Sequence, residues 1–263
     1  MASTGPARVL LHILNIIITV LSVAVACASI WFFVQVNDFT NLRNKNHYLL
    51  DYNVYWPQII PWLFFVVSLL VICVVSCGFA GTRKGRKGLL FMYMVSFGVV
   101  AVLMITVAVL AFVFTNHKQT DDFVKDTVWD AYVQTKNDPD VANSFALIER
   151  KLHCCGADGP RDYKNWRVDL PQSCCDTYYH GWLSSYPIEC DFTNKLANER
   201  HGCSQVAMQY TKIVIMVLAA VCILIAILGF VCIAVAAGLS KALRRKNRVM
   251  AAKLESESEK VLI

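Results

Sequence analysis

The sequence predicts an all-α membrane protein: four transmembrane helices and a disulfide-stapled, mainly helical large extracellular loop. Three observations carry this. Hydrophobic residues make up 56% of the 263 and charged residues only 17%, against about a quarter charged in a soluble globule. Four stretches, 9–34, 59–79, 89–114 and 213–238, are long and apolar enough to cross a bilayer, which takes roughly 20 residues at about 1.5 Å each. Six of the 11 cysteines fall between Cys154 and Cys203. The composition excludes disorder, and 12 Gly with 7 Pro exclude collagenous and low-complexity chains.

A short N-terminus (1–8) leads into the first span, 9–34. Among Asp, Glu, Lys, Arg and His, only His12 lies inside any of the four spans. A cleavable signal peptide is the competing reading of the first, with Ala24-Val25-Ala26 as its cleavage site. The stretch is too long for an h-region, and Arg8 alone is a thin n-region. Small residues at Ser22, Ala24, Ala26 and Ala28, and at Gly98 and Ala101 in the third span, permit close helix approach. A small loop (35–58), the second span (59–79), a short loop (80–88) and the third span (89–114) follow. The large loop (115–212), the fourth span (213–238) and the tail (239–263) complete the chain.

Lys and Arg counts set the orientation. Arg8, the Arg83, Lys84, Arg86 and Lys87 cluster, and seven Lys and Arg from Lys241 to Lys260 face only Glu255, Glu257 and Glu259 on the same side. The small loop is balanced, and the large loop from His117 to Tyr210 carries 10 basic against 14 acidic residues, with Lys212 at the mouth of the fourth span. Both termini are therefore expected in the cytoplasm and the large loop outside. The net charge of +6 is topological, and nucleic acid drops out as a partner.

The large loop begins with two amphipathic helices. Val124, Val128 and Tyr132 form one apolar stripe; Val141, Phe145, Ile148 and Leu152 form the second. Asp138-Pro139-Asp140 breaks the first and can cap the next. Cys154, Cys155, Cys174, Cys175, Cys190 and Cys203 follow. An even number in an exoplasmic compartment implies a disulfide framework, with 15 connectivities open to six cysteines. Zinc, with His153 or His201 as further ligands, is the weaker reading. There is no C-x-x-C pair, and adjacent cysteines seldom hold one ion together.

His153-Cys154-Cys155-Gly156, Asp162-Tyr163-x-x-Trp166, Pro171-Gln172-Ser173-Cys174-Cys175 and Gly202-Cys203 together resemble the signatures of the tetraspanin family, over the whole chain and in the same topology. Asn15 falls where the family carries a polar residue in its first span, and Cys77-Gly78-x-x-Gly81 resembles its inner loop. The resemblance implies the six-cysteine pairing Cys154–Cys203, Cys155–Cys174 and Cys175–Cys190. It also implies acylation near the membrane face and a sterol or lipid between the spans. Many members carry Glu or Gln in spans three and four; this chain has none, so Asn15 is expected to lack the usual polar partners.

Tyr178, Tyr179, His180, Trp182 and Tyr186 lie in the segment 176–202 and are the candidate partner-contact residues, since stapled aromatics offer area at low entropic cost. Inward packing as core is the even alternative. No N-x-S/T sequon occurs, which leaves this surface without a standard N-linked glycan. Cys77, then Cys232 and Cys73, are the palmitoylation candidates by depth, with Cys27 and Cys222 expected as buried packing residues. The tail's basic cluster suits anionic lipid headgroups, and Val261 and Ile263 fit a PDZ groove.

The expected function is a non-enzymatic scaffold. It associates laterally with other membrane proteins and other tetraspanins to organise domains for adhesion, trafficking or signalling at the plasma or endosomal membrane. The alternative, a four-span transporter, channel or auxiliary subunit, wants ionisable or interrupted segments at mid-membrane. The spans offer neither. A claudin-type junction protein has its signature loop first rather than second. No catalytic residue, metal or cofactor is expected, because the outer acids and histidines form no recognisable dyad or triad.

Overall fold

The computed structural model describes residues 4–41, 56–84, 87–165, 167, 169–175, 177–180, 184–187 and 190–261. In chain order these form helices α1 (Thr4–Asn41), α2 (Trp56–Lys84), α3 (Lys87–Thr115), α4 (Lys118–Gln134) and α5 (Pro139–Leu152). Two 3₁₀ turns (Pro160–Asn165 and Gln172–Cys174) and strands β1 (Thr177–His180) and β2 (Ser184–Pro187) come next. A short α6 (Lys195–Asn198) and a long α7 (Cys203–Val261) close the order. The fold class is as the sequence predicts, with one addition: β1 and β2 pair as a small antiparallel ribbon. Two compact units divide the chain. One comprises Met1–Phe32, Ile59–Ala111 and Val217–Ile263; the other Phe33–Gln58 and Phe112–Met216.

In the first unit, α1, α2, α3 and α7 are long and apolar enough to cross a membrane. Their lipid-type faces are exposed large apolar side chains such as Ile16, Val66, Phe91 and Leu224. Their buried faces share a period. On α1 it runs Leu11, Asn15, Ile18, Ser22, Val25, Ser29, Phe32; on α3, Tyr93, Phe97, Val100, Met104, Val107, Ala111; on α7, Leu218, Cys222, Ile225, Gly229, Cys232, Ala236, Leu239. Intervals of four and three alternate, the heptad spacing that keeps one seam facing its neighbours in a left-handed bundle. Buried hydroxyls on this seam bond within their own helix: Ser22 Oγ to Ile18 O at 2.8 Å, Ser29 Oγ to Val25 O at 2.7 Å and Ser68 Oγ to Phe64 O at 2.7 Å.

Close approach falls on glycines other than the expected one. A Cβ at Gly229 would stand 1.9 Å from Phe97 Cε1, and one at Gly78 would stand 2.6 Å from Tyr93 Cε2. Gly98 has open space where its Cβ would be, because it lies one position beyond Phe97, which holds the seam. Ala24 is likewise exposed while Ser22 and Val25 are buried.

In the second unit, α4 and α5 pack over a core containing Phe123, Val124, Val128, Tyr132 and Phe145. Asp138 caps α5, accepting from the backbone N–H of Asp140 at 2.9 Å and of Val141 at 3.4 Å, with Pro139 at the first turn where its missing N–H costs nothing. The helix stops at His153, whose φ of 51° is left-handed, a conformation that a non-glycine side chain adopts only at a cost. One expectation fails on α5. Its buried residues are Phe145 and Glu149; Val141, Ile148 and Leu152 are only half-buried. Glu149 follows Phe145 by four, so it points the same way.

Candidate functional site

The turn after α5 is built on glycine. Gly156 has φ +65°, and a Cβ there would lie 2.3 Å from the Gly159 carbonyl oxygen, so no other residue fits without strain. Asp162 Oδ2 closes the turn by accepting from Asp158 N at 2.7 Å and Gly159 N at 3.2 Å. The same segment is laid against the start of α7. Cys155 N donates to His201 O at 3.1 Å, Cys203 N to Gly156 O at 3.0 Å and Ser204 N to Ala157 O at 3.0 Å. Gly202 permits this contact, since a Cβ there would stand 2.3 Å from the Asp158 backbone.

Three disulfides fasten the unit: Cys154–Cys203, Cys155–Cys174 and Cys175–Cys190, spanning 49, 19 and 15 residues. Adjacent cysteines thus lead to different segments. Each closed loop contributes roughly 3 to 5 kcal/mol in the chain-entropy account. The first two bridges are fully buried.

Beneath them sits Glu149. Its Oε1 accepts from Gly156 N at 2.9 Å and from Tyr163 Oη at 2.9 Å, and its Oε2 accepts from Ser173 Oγ. Burial raises its pKa above the usual carboxylate range, opposed by the Ser173, Gly156 and Tyr163 hydrogen bonds and by Arg167. Burial likewise pushes Tyr163 up, with the neighbouring Glu149 charge adding to it. Tyr163 packs edge-on to Tyr132 at 5.3 Å between ring centres. Glu149 and the sulfurs of Cys155 and Cys174 lie within 4.8 Å of one another. Both sulfurs are spent in one disulfide, so this donor set offers no thiolate to an ion.

The candidate contact residues divide. Tyr178, Tyr179 and His180 lie on β1 and Tyr186 on β2, with Tyr178 opposite Tyr186, Tyr179 opposite Ser185 and His180 opposite Ser184. Trp182 lies outside the described residues, as do Trp166 and Ile263. Cys190, at the ribbon's far root, has its Sγ 3.1 Å from Pro171 O. Next to it, Asp191 accepts from Thr193 and Asn194, and these bonds hold its carboxyl below the usual range.

Of the membrane cysteines, Cys73 and Cys77 are exposed. Cys232 is fully buried, which corrects its place among the acylation candidates: no face of its sulfur reaches lipid. It meets the Tyr93 hydroxyl instead. Cys222 is buried as expected, but Cys27 is exposed, because it falls between the seam positions Val25 and Ser29. Val261 ends α7.

Asn15 does have a polar partner. Tyr93 Oη donates to Asn15 Oδ1 at 2.8 Å, both buried. Sequence reading sought Glu or Gln and passed over a tyrosine in the third span. Gly78 leaves room for the pair, so residues of α1, α2, α3 and α7 meet at one polar node. Asn15 Nδ2 is buried and, among the described residues, has no hydrogen-bond partner.

The family model described as "Tetraspanin family" matches residues 7–242. Among curated relatives, the "CD151 antigen" of Rattus norvegicus is 26% identical over 186 residues, covering 66% of this chain and 69% of the relative. The "23 kDa integral membrane protein" of Schistosoma mansoni is 29% identical over 132 residues, covering 49% of this chain and 57% of the relative. The "Tetraspanin-5" of Bos taurus is 25% identical over 183 residues, covering 67% and 61%.

Proposed function

Because the chain belongs to the tetraspanin family, we propose that it is a non-enzymatic scaffold of the plasma or endosomal membrane, with both termini cytoplasmic, that recognises partner membrane proteins through its disulfide-bonded unit. One observation supports this reading above the others. Cys175–Cys190 closes a loop around the β1–β2 ribbon, so four of the five candidate aromatics sit on a pre-ordered strand pair. Pre-ordering lowers the entropy lost on binding. Lateral association with other tetraspanins uses the membrane unit, and the basic end of α7 lies against anionic headgroups.

The test is mild-detergent affinity purification with mass spectrometry, comparing the intact chain with one whose 176–202 segment is exchanged. Partners are expected to be lost on exchange; the same partners from both chains refute the reading. Replacing Tyr179 and Trp182 by Ser is expected to abolish co-purification while surface expression persists.

Acylation belongs to Cys77 and, one turn away, Cys73, both exposed. Unchanged acyl-exchange labelling of Cys77→Ser removes Cys77 from that role. A sterol or lipid hydroxyl between the spans would find a donor in Asn15 Nδ2, a buried amide nitrogen with no partner among the described residues. Binding of a PDZ domain at Val261 and Ile263 completes the proposed contacts, read out by loss of pull-down when the tail is shortened.

A further inference from the structure

Glu149 is 1% exposed, while Arg150 and Lys151 beside it on α5 are exposed. Its carboxylate collects one donor from each of three segments: the Gly156 N–H of the turn after α5, the Tyr163 hydroxyl of the first 3₁₀ turn and the Ser173 hydroxyl of the second. Among the described residues, the charged and titratable groups around it are few. Arg167 acts on it from over the Tyr163 ring, 5.7 Å from the ring centre, and Tyr132 stands behind Tyr163. Arg200 Nη1 reaches Ser173 O at 3.2 Å. His153 and His201 flank the turn, and Cys155 and Cys174 are held in their disulfide. Burial outweighs the favourable neighbours and opposes the anion.

The three donors respond differently to a proton. An amide N–H can only donate, so Oε1 must stay an acceptor for Gly156. A serine hydroxyl can donate or accept. A proton arriving at Glu149 therefore has one place, Oε2, from which it donates to Ser173 Oγ. The Ser173 hydroxyl hydrogen turns away, the Gly156 and Tyr163 bonds persist, and the cost of a buried anion is removed.

We propose that Glu149 is a proton-operated clamp: on mild acidification it takes up one proton at Oε2, and the root of the β1–β2 ribbon is held more tightly. Ser173 donates to Glu149, the disulfide-bonded Cys174 follows it in the chain, and Cys175, next again, anchors the ribbon's bridge. The direction follows from linkage. A carboxyl whose folded pKa is raised stabilises most below its unfolded value, and that stabilisation is lost as pH rises through the folded value. The unit therefore tightens as pH falls through the window between the two. Asp191, with its lowered pKa, acts in the opposite sense.

The test is hydrogen exchange of the full-length, disulfide-intact protein in detergent, following amides 153–175 in wild type and Glu149→Gln. Comparing the two at each pH cancels intrinsic exchange rates and every pH effect the two chains share. As pH is lowered stepwise from above neutral, wild-type exchange relative to the variant is expected to slow by up to about tenfold per pH unit inside the window. Ser173→Ala removes both the donor to the anion and the acceptor for the acid, and is expected to weaken the pH dependence of exchange in this segment. A wild-type to Glu149→Gln ratio that is constant, or that rises on acidification, overturns the clamp. If Glu149→Gln does not fold, Ser173→Ala against wild type decides, and a pH dependence as steep as the wild type's overturns it.

Discussion

The membrane unit and the disulfide-bonded unit are fastened by opposite means. In the first, four helices meet along heptad seams with glycines under aromatic rings and one neutral polar node. The second is closed by three covalent bridges around a buried carboxyl. The solvent explains the difference. Between helices in lipid, burying apolar surface brings no hydrophobic gain, so packing shape and isolated hydrogen bonds decide the arrangement. In water, a unit with short helices and long irregular segments gains from cross-links that limit the freedom of its unfolded chain. Shape is the fastener in one unit and covalency in the other.

That contrast can be broken, starting from its strongest claim. Replacing Cys154 and Cys203 together by Ser is expected to cost about 2–5 kcal/mol, seen as loss of surface delivery and of thermal stability in detergent. A loss no larger than that of a single packing variant would erase the distinction between the units. Next, Gly229→Val drives a branched side chain into Phe97 and is expected to cost about 1–3 kcal/mol, read by thermal unfolding in detergent. Gly98→Val, with open space at its Cβ, should stay within about 0.5 kcal/mol. Adding Phe97→Ala should recover part of the Gly229→Val loss, because the clash is with that ring.

Smaller effects sharpen the comparison. Tyr93→Phe removes the hydroxyl that reaches Asn15 and should cost about 0.6 kcal/mol, at most about 1.7, in the same unfolding measurement. Lys212 pairs with Asp121 at 2.7 Å, with both side chains about one-third exposed. Lys212→Met is expected to cost no more than about 1 kcal/mol, falling further at high salt. A larger loss there would place ionic fastening beside covalency in the disulfide-bonded unit.

Much of this was legible in the sequence, and the gaps have physical causes. Four uncharged stretches can only become helices when they cross lipid, and Asp138-Pro139 announces its cap without tertiary context. Resemblance, rather than arithmetic, chose one cysteine pairing among fifteen. Glu149 was missed because a carboxylate is ordinarily a surface residue; the usable signal was its place four after Phe145, on the apolar face. The ribbon was missed because its two strands, Thr177–His180 and Ser184–Pro187, are short and show no alternation of apolar and polar residues, and a bridge between Cys175 and Cys190 encloses them. Tyr93 and Gly229 look like ordinary apolar-span residues until four helices are brought to one seam. Their roles exist only between segments, where no local pattern can write them.

The nesting of the bridges has a consequence for damage. Any cut between residues 176 and 189 falls inside both the Cys175–Cys190 and the Cys154–Cys203 loops. A protease that nicks the ribbon therefore separates nothing: the two halves stay attached through sulfur on either side. On a gel run without reductant such a protein migrates as one intact species, and only a thiol releases the pieces. A chain nicked in the ribbon can thus persist in the membrane, still counted as whole by any assay that measures size alone.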